Sequence, residues 1–179
     1  MTLFTAEIEA LAKDWFRRCR ESQMVHYEYA SVLERRHLYF GIPAIVLSAV
    51  VGTAIFSTWQ SAATHPGWQI LFGLLSMTAA AISALQTFLN LSERAAKHKS
   101  AGAGYGAVRR ELELLKSLPP TDEEGIRAAL LTIKAQMDEL AANAPSIPSA
   151  FKARIDAHLK SQNHDRIYQL GPSRPGASG

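Results

Sequence analysis

The sequence has a single cysteine, Cys19, and no Asp, Glu, Lys or Arg anywhere between Leu38 and Leu91. The lone thiol excludes an intrachain disulfide and any site built from several thiolates. The uncharged stretch excludes more, because fifty-four residues without a charge are foreign to a water-facing surface. Strand-like alternation of useful length is also missing, as is any internal repeat. GxSxG, Walker and HExxH sequences are absent, and the six histidines at 26, 37, 65, 98, 158 and 164 are scattered without metal-ligand spacing. His26 with Glu28, or His98 with Glu93, can be drawn as acid–base pairs, but each reads better as a packing or interfacial residue. The expectation is therefore a non-enzyme, with no catalytic residue, cofactor or metal.

What is present is a sharp segregation. The mean hydropathy of −0.03 looks soluble. All nineteen basic and sixteen acidic residues, however, lie outside the uncharged stretch. Within it lie two apolar runs, LYFGIPAIVLSAVVGTAIFSTW (38–59) and WQILFGLLSMTAAAISALQTFLNL (68–91). As helices they reach roughly 33–36 Å, against a hydrocarbon core about 30 Å thick. A buried soluble pair would carry polar residues on a solvent face. A cleaved signal segment would begin nearer the N-terminus and be shorter. The runs read as a two-span transmembrane hairpin closed by an external loop at 60–67.

Charge sets the expected orientation. Arg35 and Arg36 precede the first span, Arg94, Lys97 and Lys99 follow the second, and the loop has no Lys or Arg. Lys and Arg concentrate on the cytoplasmic side, so both termini are expected inside. Trp59 and Trp68 bracket the loop as interfacial belt residues do. The basic flanks suit anionic headgroups of the bilayer and call for no nucleic-acid partner.

Residues 1–37 read as a cytoplasmic helix from about Thr5, with Glu7 and Glu9 at its positive end and no Gly or Pro before Gly41. It is free to run straight into the first span. Ile8, Leu11, Trp15 and Cys19 share one face, and His26, Ala30 and Leu33 continue it. In the first span Ala44, Ser48 and Gly52 recur every four residues, a spacing that lets helices approach closely, within the hairpin or between protomers. In the second span Ser76, Ala79, Ser83, Gln86 and Asn90 form a small-to-polar stripe. Such a stripe is either interhelical hydrogen-bond glue or the lining of an aqueous path in an oligomer.

Residues 92–170 read as further cytoplasmic helices. Gly102, Gly104 and Gly106 are a packing patch or a joint between the spans and the cytoplasmic bundle. No strand precedes them, which argues against a phosphate loop. Tyr105, Val108, Leu112, Leu115 and Leu118 form a seam that Pro119-Pro120 ends. Thr121 with Glu124 reads as a capping box for a helix with the seam Ile126, Leu130, Ile133, Met137 and Leu140. Pro145 and Pro148 break that helix, and Phe151, Ile155 and Leu159 line a short amphipathic one. Residues 171–179 are Gly, Pro and Ser rich, an expected disordered tail. The fold class is all-α, a membrane hairpin over a bundle of long cytoplasmic helices, in one unit of residues 1–170.

ERRHLYFGIPAIVLSAVVGTAIF, QTFLNLSERAAKHKSAGAGYGAVRRELELL and APSIPSAF, in that order, resemble the SLATT-domain family. The similarity runs from about Trp15 to Phe151. The family comprises bacterial two-span effectors associated with SMODS nucleotidyltransferases and SLOG nucleotide sensors. The resemblance implies a homo-oligomer in the bacterial inner membrane that forms a pore in an antiphage response to a nucleotide signal. This chain has no recognisable sensor domain, so the trigger is expected from a separate signalling or sensor protein, or at the helical bundle. A competing expectation is a non-conducting anchor whose cytoplasmic helices dock a soluble partner.

Overall fold

The structure, a computed structural model, describes residues 5–59 and 66–161. The loop at 60–65, the tail at 171–179 and the side chains of Trp59 and Leu159 lie outside the described residues. Five helices follow one another: α1 (Ala6–Trp59), α2 (Pro66–Leu89), α3 (Leu91–Ser117), α4 (Glu123–Asn143) and α5 (Ser149–Ser161). No strand occurs among the described residues.

Helix α1 is one element of 54 residues, about 80 Å long. Thr5 caps it, its Oγ1 accepting the Ile8 N–H at 3.4 Å. No helix breaker precedes Gly41, and Pro43 lies within the helix. The charged and apolar halves are thus continuous. The second run begins two residues earlier than its hydropathy indicates. Pro66 opens α2, since its fixed φ suits a first helical turn that needs no N–H from it.

The charged half of α1 is covered by α3, and α4 packs on α3. One core joins Phe16 and Cys19 of α1, Tyr105, Val108, Leu112 and Leu115 of α3, and Ile133 of α4. Leu130, Met137 and Leu140 close over it, and Ile126 is 1% exposed, so the expected α4 seam faces inward. A second core joins Tyr29, Ala30 and Leu33 of α1 to Leu91 and Ala95 of α3, with Ile147 and Phe151 packed against it. The aliphatic surface these cores remove from water is the main stabilising term.

Two seam residues depart from expectation. Leu118 is exposed because it sits past the end of α3, at φ −134°, where the following Pro119 disfavours helix. Leu11 is 41% exposed, while Phe16 takes a buried position on α1. The cap of α4 is also displaced by one residue. Asp122, not Thr121, accepts the Gly125 N–H at 3.3 Å. Asp caps at least as well as Thr, and its charge suits the positive helix end.

The upper parts of α1 and α2 are different in kind. Their most apolar 18-residue windows have mean hydropathies of 2.0 and 1.6, yet only 11% and 6% of those windows is buried. Ile42, Ile45, Val46 and Val50 of α1, and Ile70, Leu74, Met77 and Phe88 of α2, are exposed. These are two helices long and apolar enough to cross a membrane. Their aliphatic side chains are not covered within the chain as those of a buried core pair are.

Candidate functional site: the hairpin face and the junction below it

Two adjacent rows run along α2. Phe72, Leu75, Ala79, Ile82, Gln86 and Leu89 alternate spacings of three and four, and all are buried or half-buried. This row faces α1, whose Gly41, Ala44 and Val51 are buried opposite. One residue further on in every case lie Gly73, Ser76, Ala80, Ser83, Thr87 and Asn90, all exposed. One residue is about 100° around a helix, so this small and polar row turns aside from α1.

The expected stripe straddles both rows. Ala79 and Gln86 belong to the α1-facing row, whereas Ser76, Ser83 and Asn90 belong to the exposed one. Gln86 is a bond between the two helices. Its Nε2 donates to His37 Nδ1 at 3.3 Å, and a Cβ on Gly41 would stand 2.9 Å from that nitrogen. Gly41 is therefore the residue that lets Gln86 lie against α1. Ala44 is buried in the hairpin, but Ser48 and Gly52 are exposed, with nothing within 4 Å of a Cβ built on Gly52. A repeat of four advances about 40° per step, which carries Gly52 off the face that Ala44 occupies.

Three threonine hydroxyls on these helices are turned to their own backbones. Thr53 donates to Ala49 O at 2.8 Å, Thr78 to Leu74 O at 2.9 Å and Thr87 to Ser83 O at 3.0 Å. Each needs no further acceptor in an apolar surround, and each still presents an oxygen.

Asn90 is the junction itself. It adopts φ 44° and ψ 43° and is the one non-glycine residue with positive φ among the described residues. The ladder continues on both sides: Asn90 N–H donates to Gln86 O at 3.2 Å and Arg94 N–H to Asn90 O at 3.1 Å. Its Nδ2 donates to Glu93. The Glu93 carboxyl, bonded first by Lys97 and then by Asn90, is held below its usual range. The break between α2 and α3 therefore falls at Asn90, while the glycines read as a packing patch or a joint lie further on. Gly102, Gly104 and Gly106 lie inside uninterrupted α3. A Cβ on Gly102 would meet the Tyr27 ring at 3.3 Å and Gln23 O at 3.4 Å, and one on Gly104 would collide with Leu140. One on Gly106 would lie 2.7 Å from Gln23 Nε2. They bring α3 close to α1 and α4.

The basic residues that flank the two apolar runs occupy this level. Lys99 pairs with Glu34 across α1 and α3 at 2.5 Å, and Lys97 pairs with Glu93 at 2.7 Å. Arg35 Nε donates to Ser31 O at 3.4 Å, while Arg36 and Arg94 are exposed. An open cleft of about 340 Å³ beside the junction is lined by His37, Gln86, Thr87, Asn90, Leu91 and Ser92.

Below it lies a pair that spacing alone does not reveal. His26 Nδ1 and His98 Nδ1 are 3.0 Å apart between α1 and α3, at 6% and 2% exposure. Tyr29 meets the His98 ring edge-on at 4.8 Å, and Tyr105 stacks on His26 at 5.8 Å. Burial pushes His26 below its ordinary value. It pushes His98 down to about 4, with the His26 and Arg94 charges adding to the effect. The periodicity puts each histidine on a buried face, but which ring meets it across the interface is a tertiary matter. Among the described residues no three His, Cys, Asp or Glu side chains gather as a metal-binding group.

No protein-family model, curated protein or solved structure matches the chain.

Proposed function

We propose that this chain is a two-span protein of the bacterial inner membrane, with both termini cytoplasmic, that self-associates through its hairpin and opens a pore. The carrying observation is the continuous exposed row of small and polar residues Gly73, Ser76, Ala80, Ser83, Thr87 and Asn90 on a mostly apolar helix surface. Hydroxyl and amide groups at membrane depth usually face other helices or water. Small residues let helices pack without a hydrophobic driving force. One hairpin has a single helix–helix contact and cannot enclose a path, so copies would surround it. Ser76, Ser83 and Thr87 would line it, Gln86 would tie the two helices of each hairpin, and Arg35, Arg36, Arg94, Lys97 and Lys99 would hold the depth. Helices α3 to α5, with the charged part of α1, would form the cytoplasmic bundle.

The SLATT resemblance supports the biological role: an effector that breaches the membrane when a nucleotide signal reports infection. The signal would come through a separate signalling or sensor protein. No protein cofactor enters the proposal.

The test is membrane potential in bacteria during induced expression, read with a voltage-sensitive dye. Wild type is set beside Ser76→Leu/Ser83→Leu, at matched membrane levels and with phage infection as a trigger. Depolarisation by wild type and its loss in the double variant is the expected result. Depolarisation by both would remove the lining assignment. None by either, infected or not, would leave a non-conducting anchor that docks a soluble partner.

A further inference from the structure

We propose that the His26–His98 pair is a protonation-sensitive clamp between α1 and α3, closed when the rings share one hydrogen bond and opened when both carry a charge. The geometry asks the neutral pair to hold one proton between the two nitrogens, with either ring as donor. At a separation of 3.0 Å, one Nδ1–H donates and the other Nδ1 accepts with its lone pair. The donor ring has its bare nitrogen at Nε2, the acceptor ring its N–H there. A first proton adds at the donor's Nε2 and leaves the bond intact. A second must go to the acceptor's Nδ1, which turns two N–H groups against each other and sets two cations side by side. The first step is therefore tolerated and the second breaks the contact.

The surroundings oppose that second charge. From α1 Tyr29 meets His98, from α3 Tyr105 stacks on His26 and the Arg94 charge acts on His98, and from α5 the Phe151 ring packs on Tyr29 at 5.0 Å and carries Arg154 at 4.8 Å. Helix α4 reaches the adjoining core through the apolar Met137 and Leu140. Lys99 and Glu34 form the exposed ion pair beside His98. Both histidines therefore hold protons less tightly closed than open. The closed form has its full stability above about pH 6.5 and loses it as pH falls toward 4, where His98 titrates. Because α3 continues α2 through Asn90 alone, loosening α3 from α1 acts on the base of the second apolar helix. The clamp stands independently of whether the hairpin conducts.

The full chain in lipid nanodiscs is titrated from pH 7.5 to 4, with histidine ring nitrogens followed by NMR and α3 amides 97–108 by hydrogen exchange. Rates are corrected for the intrinsic pH dependence of exchange. Two rings titrating in separate steps below 6.5, with α3 protection falling about tenfold or more across the window, is the expected result. His98→Gln, which keeps a donor and acceptor but does not titrate, is expected to flatten that fall. Independent titration of both rings near 6.5 in the wild type would overturn the clamp, whatever the variant does. An equal fall in the variant would overturn it as well. So would joint displacement of both resonances by micromolar Zn²⁺, which would make the pair metal ligands.

Discussion

Asn90 allows a test in which the order of stabilities, not only their size, is predicted. Its φ of 44° and ψ of 43° place it in the left-handed region between α2 and α3. There a Cβ costs about 1–2 kcal/mol, and Asn offsets part of that by local hydrogen bonding, here to Glu93. Asn90→Ala should therefore destabilise by about 1 kcal/mol or more, while Asn90→Gly, free of the Cβ penalty, should stay near wild type. In an uninterrupted helix the order reverses. Ala would then stabilise by roughly 0.6 kcal/mol over Asn, and Gly would be the worst of the three, about 1 kcal/mol below Ala. The assay is thermal unfolding in detergent micelles, followed by circular dichroism at 222 nm. A chain of this length should move by roughly 2–4 °C per kcal/mol. Ala above Asn above Gly would refute a break at residue 90.

Two further predictions concern the lower cores. Ile133, 3% exposed where α4 meets α3, should cost about 2–5 kcal/mol when changed to Ala, whereas Leu131→Ala, 56% exposed on the same helix, should stay within about 0.5 kcal/mol. Paired thermal melts separate the two. Cys19 is fully buried, and burial pushes its thiol from 9.0 up to about 11. At pH 8 its thiolate fraction is then about a hundredfold below that of an unshifted thiol. Maleimide labelling of the native protein should be slow and should reach the rate of a free cysteine only on unfolding; rapid native labelling would contradict the packing around Phe16 and Tyr105.

Legibility differed by segment. The apolar hairpin helices, the α4 seam from Ile126 to Leu140, and the inward face of His26, Ala30 and Leu33 follow from hydropathy and a 3.6-residue period, which local sequence carries. Boundaries were less readable where neighbouring residues compete for one role. Thr121 and Asp122 both cap well, and Asp122 takes the position. Pro66 starts a helix that hydropathy alone begins at Trp68. The stripe on α2 was legible as a polar feature but not as two rows, because a three–four pattern spans about 60° of helix surface and α1 covers one edge of it. Ser48 and Gly52 failed to join Ala44 for the same angular reason.

The amino-acid sequence by itself determined that this protein is all-helical and that two of its helices are apolar enough to cross a bilayer. It also determined that the charged residues lie wholly outside those two runs. These are properties of composition and of short-range period, which need no partner to be expressed. Only the tertiary structure decided which side of α2 meets α1, and so placed Gln86 against Gly41 while leaving Ser76 and Ser83 exposed. It also decided that Gly102, Gly104 and Gly106 are points of close approach and that Asn90 is the break. Finally it brought His26 and His98, seventy-two residues apart, to within a hydrogen bond. A helix's register against its neighbour depends on volumes and contacts from distant parts of the chain, and local sequence does not encode that.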